Sequence, residues 1–225
     1  MTGILQNLLW TGIKETFYMV IVSTVVSYLL GIPIGVMLYV TDKGGILENR
    51  LLNIVTGFIV NVTRSVPFLI LLVALLPFTR FLVGTTIGST ATIVPLVVAA
   101  APFVARMVES SLKEVDIGVI EAAKAMGSSP FQIIYKVLLP EAKPSLVVGA
   151  AIAFATILSY SAMAGFVGGG GLGAIAVNYG YYRYQTDVML VTVLILVVIV
   201  QVFQEAGMYL ANRLDKRKTD RRTSK

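Results

Sequence analysis

Glu121-Ala122-Ala123-Lys124-Ala125-Met126-Gly127, followed by Val137-Leu138-Leu139-Pro140, is a polar, alanine-rich, glycine-terminated stretch set between strongly apolar ones. Ile117 to Met126 reads as a short helix, and Gly127 is a natural terminating residue. Ser129-Pro130-Phe131-Gln132 follows, with Ser at the cap, Pro at the first helical position and Gln at the third, which is a capping box. A second helix is expected from Pro130 to about Leu138, ended by Pro140, and Pro144 is expected to open the next long apolar run. Helices under about 12 residues are marginal alone in water, so the first of these needs a surface to lie on. Ala122, Ala123 and Ala125 would let another protein's backbone come close, and Glu121 offers an acceptor to a basic or amide partner. The alternative is a solvated helix-turn-helix packed on the protein's own spans.

The rest of the chain asks for a membrane. Of 225 residues, 56% are apolar and only 13% charged, and the mean hydropathy is +0.84. A soluble domain carries about 25% charged residues. There is no Cys and no His, which removes disulfides, thiol chemistry, most zinc sites and histidine proton relays. A bilayer crossing needs about 20 apolar residues. Charge-poor runs place five spans near 16–41, 53–79, 89–111, 144–164 and 188–210, with a cytoplasmic loop over 112–143 and a basic tail over 211–225. The first run does not read as a signal peptide: it is too long, and no clear cleavage site follows. The fold class expected is an all-α integral membrane protein of one domain.

Lys and Arg orient the bundle. Fourteen lie on one side: Lys43 and Arg50 after the first span; Arg106, Lys113, Lys124, Lys136 and Lys143 between the third and fourth; and seven from Arg213 to Lys225. The other side has Lys14, Arg80 and Arg183, with Arg64 inside a span. The positive-inside rule puts the N-terminus outside and the tail in the cytoplasm, together with the Glu-Ala-Ala stretch. The tail reads as an orientation signal and an anchor for anionic lipid, which better explains a pI near 9.5 than nucleic acid does.

The spans contain breakers: Pro33 between Gly31 and Gly35, Pro67 and Pro77 in the second, Pro95 and Pro102 in the third. Carbonyls freed in a bilayer must find neighbouring helices or water, so such kinks suit a moving channel wall. The Gly31-x-x-x-Gly35 spacing permits close helix contact. Arg64, as an intramembrane charge, should face protein or water, either snorkelling to the interface or lining a path beside Pro67. Gly168 to Gly173 formally contains G-x-G-x-x-G, but no strand-helix context or acidic residue about twenty positions on supports a nucleotide site. No phosphate-binding G-x-x-x-x-G-K-[ST] occurs either, so the chain is not expected to hydrolyse ATP. These glycines suit a tightly turned external loop. Tyr179, Tyr181, Tyr182 and Tyr184 after it read as an interfacial belt, or as a contact for a delivery protein.

With these residues in view, Glu121-Ala122-Ala123, Gly127 and Leu139-Pro140 resemble the EAA loop of ABC-importer permeases, with Val137 where that motif usually has Ile. The likeness narrows to permeases of bacterial methionine importers. Arg64-Ser65-Val66-Pro67-Phe68, Pro77-Phe78-Thr79-Arg80, Val83-Gly84-Thr85, Ala101 to Glu109, Tyr160-Ser161-Ala162-Met163 and Tyr179-Gly180-Tyr181 carry it over nearly the whole chain; the basic tail does not. The resemblance implies a type I importer fold in the bacterial inner membrane. It implies two permease copies, two copies of a cytoplasmic ATPase that binds ATP and Mg, and an extracytoplasmic methionine-binding lipoprotein. It also makes Glu121, Ala122, Ala123, Gly127, Leu139 and Pro140 the ATPase-coupling residues, and it puts Tyr160, Ser161 and Met163 at the gate. No catalytic residue, metal or cofactor is expected in this chain.

The substrate comes only from the resemblance, so another amino acid or small polar solute stays open. An ion-coupled transporter is disfavoured: there is no His, and Glu109 and Glu205 fall near cytoplasmic ends. A non-transporting scaffold would explain a docking loop but not the broken helices.

Overall fold

The computed structural model describes Thr2 to Asp215, with side chains from Leu5 onward. The expected lipid anchor in the tail, from Lys216 on, lies outside the described residues. Helix α1 (Thr2–Thr41) is 40 residues long, whereas the charge-free run suggested a start near residue 16. Lys14 and Glu15 do not interrupt it, because a polarity boundary ends an apolar surface and not the backbone ladder. At about 1.5 Å per residue it reaches roughly 60 Å, about twice the hydrocarbon thickness. Its most extensive neighbour is α5 (Ser89–Lys113). A Cβ on Gly31 would lie 2.6 Å from Val104 Cγ1, and one on Gly35 would lie 2.5 Å from the Ala105 carbonyl oxygen. The Gly-x-x-x-Gly spacing therefore sets the closeness of the α1–α5 contact.

The second span departs from expectation. In place of one helix over 53–79 there are three: α2 (Arg50–Ser65), α3 (Phe68–Ala74) and α4 (Leu76–Val83). Asn49 caps α2 by accepting the Leu52 N–H at 3.0 Å. The break between α2 and α3 bends the chain by 101°. Pro67 offers no N–H and pushes the residue before it out of the helical region, and Val66 is extended at φ −83, ψ 126. Pro77 sits in the first turn of α4, where no N–H is needed. Pro33, Pro95 and Pro102 lie inside helices that continue through them.

On the basic side come α6 (Ile117–Ala125), α7 (Pro130–Ile133), a π-turn over Ile134–Leu138, and α8 (Leu139–Glu141). Pro140 does not end the second cytoplasmic helix as expected; it opens α8. Helix α9 (Lys143–Ala164) rises with Pro144 in its first turn. A 3-10 turn (Gly165–Val167) leads through the glycines into α10 (Gly171–Ile175), which folds back against α9 and α1, and then into a π-turn (Ala176–Tyr181) that packs on α11 (Thr186–Leu214). Helix α11 closes the bundle.

Among the described residues, four helices are long and apolar enough to cross a membrane, and five if the bent α2–α3 pair is one span. Leu190, Leu194, Val198 and Val202 on α11 stay exposed, as a lipid-facing wall requires when the solvent around it is hydrocarbon. Two apolar cores form. One, around Met19, Leu96, Phe154, Ile157 and Leu172, joins α1, α5, α9 and α10. The other, around Val104, Val108, Leu112, Ile120, Ile133 and Leu138, joins α5 to the cytoplasmic helices.

Candidate functional site: a capped cytoplasmic helix and an outer hairpin

Helix α6 is closed at both ends by its own sequence. Asp116 Oδ1 accepts the Gly118 N–H at 2.7 Å. At the other end the Gly127 N–H donates to the Lys124 carbonyl at 2.9 Å, and the Ser128 N–H donates to the Ala123 carbonyl at 3.1 Å. That pair of bonds is a Schellman cap. It places Gly127 at φ +77, where a Cβ would be strained. The capping box of α7 forms as expected: Ser129 N–H donates to Gln132 Oε1 at 2.8 Å, and Gln132 N–H donates to Ser129 Oγ at 3.4 Å.

Ile120 and Ala123 turn inward and share one core with Ile133 and Leu138. Ala123 is 2% exposed, so it cannot offer the close-approach surface expected of it; Ala at that position seats α6 on its support. The outward face is Ile117, Glu121, Ala122, Ala125 and Met126. Ile117 and Met126, 68% and 79% exposed, were missed by the sequence reasoning. The spacing 117, 121, 125 with 122 and 126 marks one helical face and could have found them. Leu139 is half-buried against the same core, and Pro140 is exposed beside Val119, Lys136 and Val137, off that face.

Beside α6, a charged network ties the cytoplasmic ends together. Arg106 Nη1 meets Glu109 Oε2 at 2.6 Å, and Lys113 Nζ meets Glu109 Oε1 at 2.8 Å and Asp42 Oδ2 at 3.4 Å. Arg106 Nη2 also donates to Asn61 Oδ1 at 2.9 Å and to the Gly57 carbonyl at 3.4 Å. Glu109 is buried, so both of its oxygens must be met, and they are. The network links α5 to α2 and to the turn after α1.

On the outer side, α9 and α10 form a hairpin. A Cβ on Gly165 would lie 2.6 Å from the Gly173 backbone, and one on Gly173 would overlap the backbone of Ala162. Met163 is 43% exposed. It lines an apolar groove of about 580 Å³ with Ala162, Phe166, Tyr181, Met189 and Gln201. Tyr160 does not line that groove; its ring stacks on Phe68 with centroids 4.5 Å apart. That stack brings the Pro67 break against α9. Ser161 is buried and its Oγ donates to the Leu158 carbonyl at 2.7 Å, so its expected exposure to a path is not what the structure shows. Arg64 lies exposed in the last turn of α2, just before the break, and is not part of the Met163 groove. Among the described residues no cluster of His, Cys, Asp and Glu could hold a metal.

Among the described residues, a helical bundle with four or five segments long and apolar enough to cross a membrane, and a separately capped helix on its basic side, is the architecture of a multi-pass membrane protein. Residues 31–220 match the family described as "Binding-protein-dependent transport system inner membrane component", and the chain belongs to that family of multi-pass inner-membrane permeases. It is 53% identical over 212 residues to the "Probable D-methionine transport system permease protein MetI" of Vibrio cholerae, with 94% of each chain covered. It is 54% identical over 158 residues to the "D-methionine transport system permease protein MetI" of Escherichia coli K12, covering 70% of this chain and 73% of that one. Its fold matches a chain of the MetNI methionine ABC transporter, solved in inward-facing conformations, with a TM-score of 0.94 and 49% identity. That match covers 96% of this chain and 100% of the other.

Proposed function

We propose that this chain is the membrane-spanning subunit of an ATP-driven methionine importer. The observation that carries the reading is the exposed, doubly capped α6 on the basic side of a chain similar along 96% of its length to the permease-sized chain of a methionine ABC transporter. In this reading two copies enclose the path, and each α6 rests in a groove on an ATPase subunit that binds ATP and Mg. Closing the ATPase pair draws the two α6 helices together. The charged network on Glu109 carries the displacement into α2 and α5. The outer hairpin bearing Met163 then switches access, and an extracytoplasmic binding protein delivers methionine to the outward-facing state. ATP can drive this only because it favours one of the two states over the other. The likeness to an inward-facing structure supports assigning the present shape to the resting state.

The test is uptake of labelled L- and D-methionine by proteoliposomes holding the permease, its ATPase and the binding protein. Uptake should require ATP and be competed by methionine. Equal uptake of unrelated amino acids would overturn the substrate, and uptake without the ATPase would overturn the class.

A further inference from the structure

We propose that Glu15 and Thr16 of α1 are positioning residues for the outer hairpin, and through it for Met163. The inference rests on the gate reading given above. The turn of the hairpin is held by side chains 156 positions away in sequence. Glu15 Oε2 accepts the Gly171 N–H at 2.7 Å, and Thr16 Oγ1 accepts the Leu172 N–H at 2.8 Å. The residue at the cap position of α10 is Gly170, which has no side chain to do this for itself. A third tie comes from the start of α5, where the Gly88 N–H donates to the Gly168 carbonyl at 2.9 Å.

Glu15 is not drawn elsewhere. Among the described residues no Lys or Arg forms an ion pair with it. Its neighbour Lys14 sits 5.2 Å from the Trp10 ring centroid instead. Thr16 is 2% exposed and Glu15 half-buried, so the Thr16 bond is shielded from competing water and the Glu15 bond partly so.

The hairpin is packed backbone to backbone at Gly165, Gly173 and Ala162. It has no slack with which to absorb a displacement of its turn, so the turn's position fixes that of Met163. Helix α1 runs unbroken from this turn to Thr41, beside Asp42 and the Lys113 contact next to α6. One continuous helix therefore touches the cytoplasmic network at one end and grips the gate hairpin at the other. A cap serving stability alone would need no such connection.

The experiment uses the assembled complex carrying Met163→Cys in the otherwise cysteine-free permease. The labelling rate of the introduced thiol is read with and without nucleotide, alongside methionine moved per ATP hydrolysed. Glu15→Gln keeps an acceptor oxygen and should keep the nucleotide response. Glu15→Leu removes it and should make labelling independent of nucleotide, with transport per ATP falling about tenfold, the scale of one lost charge-assisted hydrogen bond. Thr16→Val, nearly isosteric, should act in the same direction if Glu15→Leu does not assemble. A full nucleotide response and normal transport per ATP in Glu15→Leu or Thr16→Val overturns the proposal. If Met163→Cys alone shows no nucleotide response, the gate reading falls separately. Glu15 is then judged by transport per ATP: a tenfold fall restored by Gln supports the latch, and an unchanged ratio overturns it.

Discussion

Gly127 and Gly173 are glycines for different reasons, and their substitutions should differ accordingly. Gly127 has φ +77 with nothing within 4 Å of a Cβ built there, so only backbone strain opposes a side chain. Gly127→Ala should cost about 1 kcal/mol and leave most uptake intact. Gly173 faces the Ala162 backbone, which cannot give way as a flexible side chain can. Gly173→Val should cost roughly 3 kcal/mol and abolish uptake. Thermal unfolding in detergent, paired with an uptake assay, checks both; equal effects would show that the hairpin has room to part. Terminating Gly127 and the Ser129–Gln132 box were legible because both are local bonds within a few residues. The inward turn of Ala123 was not, because Ala suits a buried seat and an exposed contact equally. Only the packing of Ile120 against Ile133 and Leu138 decides which side of α6 is covered.

At the scale of elements, the charged network gives α5 a function that the sequence did not announce. Arg106, Glu109 and Lys113 look like ordinary cytoplasmic charges at helical spacing. Their meeting with Asn61 and Asp42 is tertiary and leaves no local trace. Glu109→Ala leaves Arg106 and Lys113 without their shared acceptor. With Arg106 only 26% exposed and Lys113 half in water, the loss should be roughly 2 kcal/mol. Lys113→Ala should cost under about 1 kcal/mol, because water can replace the exposed partner. A thermal-shift comparison checks the ranking, and a Lys113 effect as large as that of Glu109 would contradict it. The break of the second span is a parallel case. Pro67 and Pro77 are both visible in the sequence, yet Pro67 follows a helix that has ended, at a 101° bend, while Pro77 falls in the first turn of a new helix. Which proline kinks and which one caps depends on where the preceding helix stops.

For the whole molecule, the orientation expected from the sequence depends on summed charge and not on any contact. The chain has no cysteine, so single substitutions report without background. Thr85→Cys and Tyr184→Cys, both at exposed positions, should react with an impermeant thiol reagent added to intact cells, and Glu48→Cys should not. The opposite pattern would invert the bundle. The length of α1 and the folded-back hairpin were not legible, since glycine runs and charged helix ends fix no position until another element packs on them. In the proposed function, α6 is the point where ATP-driven work enters. Methionine uptake into proteoliposomes containing the full importer, with Met126→Asp beside the unmodified chain, tests it most directly. A charge on that exposed face should leave the permease folded while removing ATPase co-purification and reducing ATP-driven uptake at least about tenfold, the scale of losing one buried contact residue. Unchanged uptake with the ATPase still bound would contradict the account.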